Sequence, residues 1–215
     1  MPLLKIKALK EDTQLMVWKI TESFEELFNS VNLEEASMVR LSSMKSESHK
    51  KGFMSVRRLL MERGYSDFDL FYDAFGKPHL KDGKHISISH SNDFSIVVFS
   101  GQNIGADLEI LKDKIVRLAP RYMDVTHLEN LNVADRIKKA AVVWGIKESV
   151  FKIKNEVGIS FKDHIFENEF VLTDNKCSVE LRFNRKVEYF DILFDFIEEY
   201  VFVCAFESKG PNINI

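Results

Sequence analysis

The sequence has few of the features that fix a protein's class by themselves. Its two cysteines in 215 residues, Cys177 and Cys204, have no CxxC spacing or nearby histidines, which argues against a disulfide framework or a zinc site. No apolar run approaches the roughly 18 residues of a membrane span, and lysines interrupt the first ten residues, so a secretory signal is not expected. A formal net charge of -3 argues against a nucleic-acid or membrane-surface role. We therefore expect a cytoplasmic protein that binds neither.

The chain does have enough apolar residues, 45% of the total, to fill a core. Strand, helical and paired-strand patterns occur twice along it, and a turn cluster at residues 100–103 separates the two runs. The second run includes a helix at about residues 135–154 and a strand at residues 170–172. We predict an α+β fold with an internal duplication, an N-terminal lobe at residues 1–101 and a C-terminal lobe at residues 102–215.

Two carboxylates interrupt the apolar segment at residues 104–111. In a β-strand, Asp107 and Glu109 project from one face while the apolar residues between them pack on the other. Their backbones are then roughly 7 Å apart, so both side chains can reach one hard divalent cation. Without a counter-ion they raise each other's pKa, and either Mg²⁺ or solvent must relieve the repulsion. The alternatives are a metal site and an edge strand with a solvated face.

A third carboxylate falls on the helix predicted in the second half. Helical spacing from Trp144 brings Glu148 and then Lys152 onto the face that should pack. A glutamate on such a face needs a partner, and a third carboxylate would complete a Mg²⁺ site that still keeps waters and substrate phosphates. The alternative is an ordinary surface pair of Glu148 and Lys152 at i, i+4 spacing.

The strand predicted at residues 85–91 ends in polar residues that suit a phosphate. Ser89 and His90 offer hydroxyl and imidazole donors, and Ser87 lies on the same polar face as Ser89. The alternative is a hairpin turn whose serines bond the local backbone. A Ser/His hydrolase is disfavoured, because the sequence has no Gly-x-Ser-x-Gly elbow.

Basic residues in the first half offer further anion contacts. Lys77 lies between a glycine and Pro78, which display it on a stiff loop. On the helix predicted after residue 48, Lys50, Arg57 and Arg58 share a face. Near a phosphorylated ligand this face would be an anion clamp, and otherwise it is a solvated helix surface.

Taken in order, these segments resemble the successive motifs of 4'-phosphopantetheinyl transferases of the surfactin-synthetase-activating type. The matching segments are Gly-Lys-Pro at 76–78, Ile-Ser-Ile-Ser-His-Ser at 86–91, Ile-Gly-Ala-Asp-Leu-Glu at 104–109 and the run from Trp144 to Lys152. Ser87 stands where the family usually has asparagine, and Gly145 where it has a small hydroxyl or thiol residue.

The resemblance implies two α+β lobes related by a pseudo-twofold axis, with coenzyme A in the cleft between them. It also implies a Mg²⁺ that bridges the protein and the coenzyme pyrophosphate. The residues implied are the metal ligands Asp107, Glu109 and Glu148, the phosphate contacts Ser89, His90 and Lys152, the nucleotide-side contacts Lys77 and Pro78, and Lys51 or Lys50 at the 3'-phosphate.

The implied reaction is transfer of 4'-phosphopantetheine from coenzyme A to a serine of an apo acyl or peptidyl carrier protein, with release of 3',5'-ADP. Glu148 is the candidate base, and His90 and Lys152 stabilise charge on the phosphoryl oxygens. Because a duplicated chain can function alone, we expect a monomer. The alternatives are a non-catalytic homologue that binds coenzyme A or a carrier protein, and a Mg²⁺-dependent phosphohydrolase.

Overall fold

The structure, a computed structural model, describes residues 3–210, with side chains from residue 5 onward. Residues 1–2 and 211–215, the outer ends of the two predicted lobes, lie outside the described residues. Internal contacts divide the chain into two units, Met1–Gln102 and Asn103–Ile215. Each combines helices with antiparallel sheet, which confirms the predicted α+β class. No helix among residues 3–210 is long and apolar enough to cross a bilayer.

The described part of the first unit places three helices with a sheet and a short hairpin. Its elements are β1 (Leu3–Lys10), β2 (Thr13–Lys19), α1 (Phe24–Asn29), α2 (Glu35–Ser43), α3 (Glu47–Glu62), β3 (Leu70–Tyr72), β4 (Pro78–Leu80), β5 (His85–Ser91) and β6 (Phe94–Ser100). The sheet has the order β1-β2-β6-β5, and β3 pairs with β4. Met54, Leu59 and Leu60 of α3 pack with Met16 and Val97 of the sheet in one apolar core.

Arg57 on α3 corrects the predicted anion clamp. Its Nε donates to Asp67 Oδ1 at 2.9 Å, and both side chains are buried. The guanidinium also donates to the Phe53 carbonyl and the Ser37 hydroxyl. A buried guanidinium bound to a carboxylate is not available to a phosphate, because breaking such a pair leaves an uncompensated charge. The predicted basic face is therefore wrong at Arg57.

In the second unit, the described residues form one antiparallel sheet with a long helix against it. Its elements are β7 (Ile104–Ile110), α4 (Lys114–Leu118), α5 (Val133–Lys154), α6 (Phe161–His164), β8 (Ile165–Glu167), β9 (Lys176–Phe183), β10 (Lys186–Ile197) and β11 (Tyr200–Ser208). The order is β7-β11-β10-β9-β8. The predicted strand at residues 170–172 is wrong: Leu172–Asp174 is a 3-10 turn, and Phe170 packs into the core.

Helix α5 is capped by an asparagine at each end. The Asn132 side chain accepts a hydrogen bond from the Asp135 N–H, and Asn155 closes the helix in the left-handed region at φ 50°. Between these caps, Ala141, Val143 and Val150 are buried in the core that includes β11. The caps set where α5 begins and ends, and its buried side chains pack it against the sheet.

The two units contain the same type of chain connection. In the first, β2 leads through α3 to the hairpin β5–β6, and β6 pairs with β2. In the second, β7 leads through α5 and further strands to the hairpin β10–β11, and β11 pairs with β7. In both cases the last strand of the connection lies beside the first.

Candidate active site

The acidic residues of β7 face α5. Trp144 Nε1 donates to Glu109 Oε1 at 3.0 Å. Lys152 Nζ donates to Asp107 Oδ1 and to the Ala106 carbonyl, each at 2.8 Å. Asp107 is only 4% exposed, so the alternative of a solvated strand face is wrong at this residue. Strand β7 does lie at the edge of its sheet, but the helix covers the face that carries the carboxylates.

Two carboxyl groups of this cluster, Glu109 and Glu148, have raised pKa values. Burial, and next the charge of Asp107, raises the pKa of Glu109 to about 8, although the Trp144 hydrogen bond opposes the shift. Burial and the Asp107 charge also raise the pKa of Glu148, and the Lys152 ammonium lowers it. Each shift records electrostatic contact between residues of β7 and α5. Asp107, Glu109 and Glu148 are therefore neighbours, although 41 positions separate Asp107 from Glu148 in the sequence.

The donor chemistry of these residues fits Mg²⁺. Carboxylate oxygens are the hard ligands that this ion prefers, and excess negative charge at a buried site is relieved by a cation. Among residues 3–210, however, no three His, Cys, Asp or Glu side chains already form a metal-binding cluster. The Lys152 ammonium lies against Asp107 Oδ1. Metal binding by Asp107, Glu109 and Glu148 therefore stays a prediction.

Stability without divalent cations is expected to fall as the pH rises. The pKa of Glu109 is about 8 in the folded protein against an ordinary 4.5, so the folded protein keeps a proton that the unfolded chain releases. The resulting stabilisation is complete below the unfolded pKa and is lost as the pH rises through about 8. The raised pKa of Glu148 acts in the same direction. Thermal unfolding in a chelator, at pH values from about 5 to 9, measures the effect.

The matched variants for this prediction are Glu109→Gln and Glu156→Gln. Glu109→Gln removes the titrating carboxyl group and should flatten the dependence on pH, whereas Glu156 is an exposed acid after α5 and its replacement should not. An equal slope in wild type and Glu109→Gln would contradict the prediction.

The predicted phosphate ligands of the first unit gather at α3. His90 lies exposed near the end of β5, and Ser89 before it is half-buried. The His90 ring packs on Gly52 of α3, where an added Cβ would lie 2.9 Å from His90 Cγ. The His49 ring is 5.9 Å from the His90 ring between centroids. Since Lys51 adjoins Gly52 in the sequence, α3 brings Lys51 and His90 into one region; their contacts with a ligand stay a prediction.

An aspartate holds the shape of the loop between β3 and β4, which contains Lys77. Asp73 Oδ1 accepts from the backbone N–H groups of Phe75 and Lys77, each at 2.9 Å. Gly76 adopts φ 82°, a left-handed conformation that glycine reaches without strain. Pro78 then begins β4. The loop geometry is thus set locally, and the nucleotide contacts of Lys77 and Pro78 stay predictions.

Ser87 lies on the same face of β5 as Ser89, as the alternation predicts. It is buried at 3% exposure. The alternation of polar and apolar residues gave the strand and its faces but not how far the polar face is covered.

Trp144 contacts the candidate site, although the sequence indicated it only as part of a buried stripe. Its indole N–H fixes Glu109 by a hydrogen bond, and its ring packs edge-on against Tyr122 and Phe161 at 5.1 and 5.5 Å between centroids. Its spacing of four residues from Glu148 was the available signal. A tryptophan held between aromatic rings keeps the Glu109 carboxylate in one orientation.

Comparison with known proteins identifies the class. No protein-family model matches the chain. The 4'-phosphopantetheinyl transferase Sfp of Bacillus subtilis (strain 168) is 28% identical over 171 residues, which cover 74% of this chain and 75% of Sfp. The 4'-phosphopantetheinyl transferase ffp of Bacillus subtilis is 26% identical over 170 residues, with the same coverage of the two chains. With the four motifs, these similarities confirm the predicted resemblance. The two relatives support assignment to the 4'-phosphopantetheinyl transferase superfamily, and so to the enzymes as a class.

Proposed function

We propose that the protein transfers the 4'-phosphopantetheine group from coenzyme A to a serine of an apo acyl or peptidyl carrier protein and releases 3',5'-ADP. The names of the two relatives support phosphopantetheinyl transfer in general. The observation that carries the proposal is the packing of α5 on β7, which puts Glu148 and Lys152 beside Asp107 and Glu109.

The proposed reaction is a displacement at phosphorus. The serine hydroxyl oxygen of the carrier attacks the β-phosphorus of coenzyme A, and a new P–O bond forms. The bond from that phosphorus to the bridging oxygen breaks, and this oxygen leaves with 3',5'-ADP. Glu148 accepts the serine proton, directly or through a water. Burial raises the pKa of Glu148, which moves the carboxylate toward the range of an effective general base.

Lys152 and His90 supply the electrostatic part of the proposal. Lys152 now donates to Asp107, and in the complex we propose that it and His90 donate to phosphoryl oxygens as their charge builds. When bound, Mg²⁺ would neutralise charge on the pyrophosphate, and the residues that would hold it are Asp107, Glu109 and Glu148.

The basic and polar residues of the first unit complete the proposed ligand contacts. We propose that Ser89 and His90 contact phosphate oxygens, that Lys77 and Pro78 lie on the nucleotide side, and that Lys51 or Lys50 meets the 3'-phosphate. Lysines suit this role because each is a point charge that phosphate oxygens can approach from several directions.

The strand, helix and hairpin connection that occurs in both units supports an internally duplicated fold. The coenzyme A cleft between lobes, the monomeric state, the cytoplasmic location and the lack of nucleic-acid or membrane partners stay predictions.

Intact mass spectrometry of carrier proteins tests the proposed function. Purified protein is incubated with Mg²⁺, coenzyme A and a panel of apo acyl and peptidyl carriers, and parallel samples contain a chelator or a carrier whose acceptor serine is alanine. We expect one phosphopantetheine on the serine of at least one carrier, and none in either control. Binding of coenzyme A without modification of any carrier would overturn the proposal in favour of a non-catalytic homologue. Cleavage of coenzyme A without a carrier would favour a phosphohydrolase.

A further inference from the structure

Helix α5 approaches β7 so closely at Gly105 that a side chain at this position would overlap the helix backbone. An added Cβ at Gly105 would lie 1.9 Å from the carbonyl oxygen of Ser149 and 2.8 Å from its carbonyl carbon. Both are main-chain atoms of α5, so no side-chain rotation relieves the overlap. Only a glycine at this position of the strand permits the observed separation of strand and helix.

A second close contact lies on the neighbouring strand. An added Cβ at Gly145 of α5 would lie 2.6 Å from Cγ2 of Val203 on β11. Val203 pairs directly with Asp107 across the β7–β11 ladder. Near the same point, the Ser149 hydroxyl donates to the Val203 carbonyl at 3.3 Å. The helix is therefore held against both strands beside the residue that carries the central carboxylate.

Glycine at 145 is not explained by helix formation. In the interior of a solvent-exposed helix, alanine is more favourable than glycine by about 1 kcal/mol. The contact with Val203 reverses this preference, because a methyl group there needs the helix or the valine to move. Residues of the candidate site lie next to these contacts in the sequence: Trp144 adjoins Gly145, and Glu148 adjoins Ser149.

We propose that Gly105 and Gly145 are positioning residues of the active site: they set the separation at which Lys152 reaches Asp107 and Trp144 reaches Glu109. A side chain at either position opens the helix from the strand and weakens both contacts. The inference rests on the proposed function for its catalytic meaning, but the geometry that it describes is measurable without any substrate.

A double-mutant cycle on the ion pair tests the proposal. Asp107→Asn, Lys152→Met and the double variant are made in the wild-type and Gly105→Ala backgrounds, and unfolding is followed in denaturant without coenzyme A. In the wild-type background we expect the pair to couple by at least about fivefold in the unfolding equilibrium constant. In the Gly105→Ala background the coupling should fall to a factor of less than about two in the same equilibrium constant. Unchanged coupling would overturn the proposal.

Gly145→Ala repeats the test where Gly105→Ala does not fold. Its clash is with a side chain, so Val203→Ala should restore the coupling that Gly145→Ala removes. Failure of Gly145→Ala to reduce the coupling would contradict the proposal, and so would failure of the rescue.

Two controls separate positioning from general loss of stability. Val179→Ala weakens the core of the same unit at β9, and Gly101→Ala adds a Cβ no nearer than 3.3 Å to any neighbour. Both should keep the coupling of the ion pair, and loss of coupling in Val179→Ala would show a merely structural effect. Coupling that responds as expected, with no carrier modified in the mass assay, would refute the proposed function and leave this inference standing.

Discussion

Glu148→Gln is expected to lower the rate of phosphopantetheine transfer by about a thousandfold or more, with the fold intact. The variant keeps the size and hydrogen-bonding reach of the side chain but removes its charge, and with it the proposed base and one of the three proposed metal ligands. Because burial and Asp107 already raise the pKa of Glu148, the neutral amide should not destabilise the packing of α5 on β7. The rate is measured on a carrier that wild type modifies, and folding by thermal unfolding.

Glu156→Gln is the matched control for this experiment. Glu156 is an exposed acid shortly after the same helix, and its carboxylate lies 3.7 Å from Lys154. An exposed pair of this kind contributes little, so the rate should stay close to that of wild type. Near-normal turnover by Glu148→Gln would remove Glu148 from the mechanism.

Lys152→Met is expected to lower the transfer rate by about 10²- to 10³-fold, the effect of losing one donor to a developing anion. The methionine keeps most of the apolar stem and removes the ammonium group. It also leaves the Asp107 carboxylate, which is 4% exposed, without the contact that Lys152 now makes. Without divalent cations the protein should therefore unfold more easily, and Mg²⁺ should restore part of the loss.

Lys154→Met is the control for the loss of a lysine near the end of α5. Lys154 Nζ donates to Glu188 at 2.7 Å and takes no part in the proposed site. Its replacement should change the transfer rate by less than about twofold, since a partly exposed ion pair contributes about 1 kcal/mol or less and here only to folding. A rate in Lys152→Met equal to that in Lys154→Met would contradict the role of Lys152.

The elements that carry the candidate site were predictable from local pattern. Alternation around Asp107 and Glu109 gave β7, and the four-residue spacing of Trp144, Glu148 and Lys152 gave the face of α5. Both signals are local, because a strand has a period of two residues and a helix one of 3.6. That α5 packs on β7 in particular is a tertiary interaction, and from the sequence only the charges on both elements and the family resemblance indicated it.

Other parts of the fold depend on interactions that local pattern does not record. The strand β2 lies inside its sheet, and its apolar residues form one short run from Leu15 to Trp18 without alternation. Residues 170–172 have strand composition, yet Phe170 packs against Phe194 in the core and the chain turns at Leu172–Asp174. Neither outcome follows from propensity, because burial on both faces and packing of a single aromatic ring override it.

The roles of Arg57, Gly105 and Gly145 could not be predicted from the sequence for the same reason. A helical wheel places Arg57 near Lys50, but Asp67, ten residues further along the chain, draws the guanidinium into the core. From the sequence, Gly145 is an unfavourable residue in a helix, and only the structure shows that Val203 packs against it. The charge pattern indicated the candidate site, and the close contacts between α5 and the sheet became visible only in the structure.

Titration of Mn²⁺ or Mg²⁺ by calorimetry, with coenzyme A present, tests most directly whether the three carboxylates act on one cation. Wild type is compared with Asp107→Asn, Glu109→Gln and Glu148→Gln. We predict one site per wild-type chain, weakened by about tenfold or more in each variant, and tighter at pH 8 than at pH 6 because Glu109 must release its proton. Equal binding by wild type and all three variants, or no binding by wild type, would contradict the account.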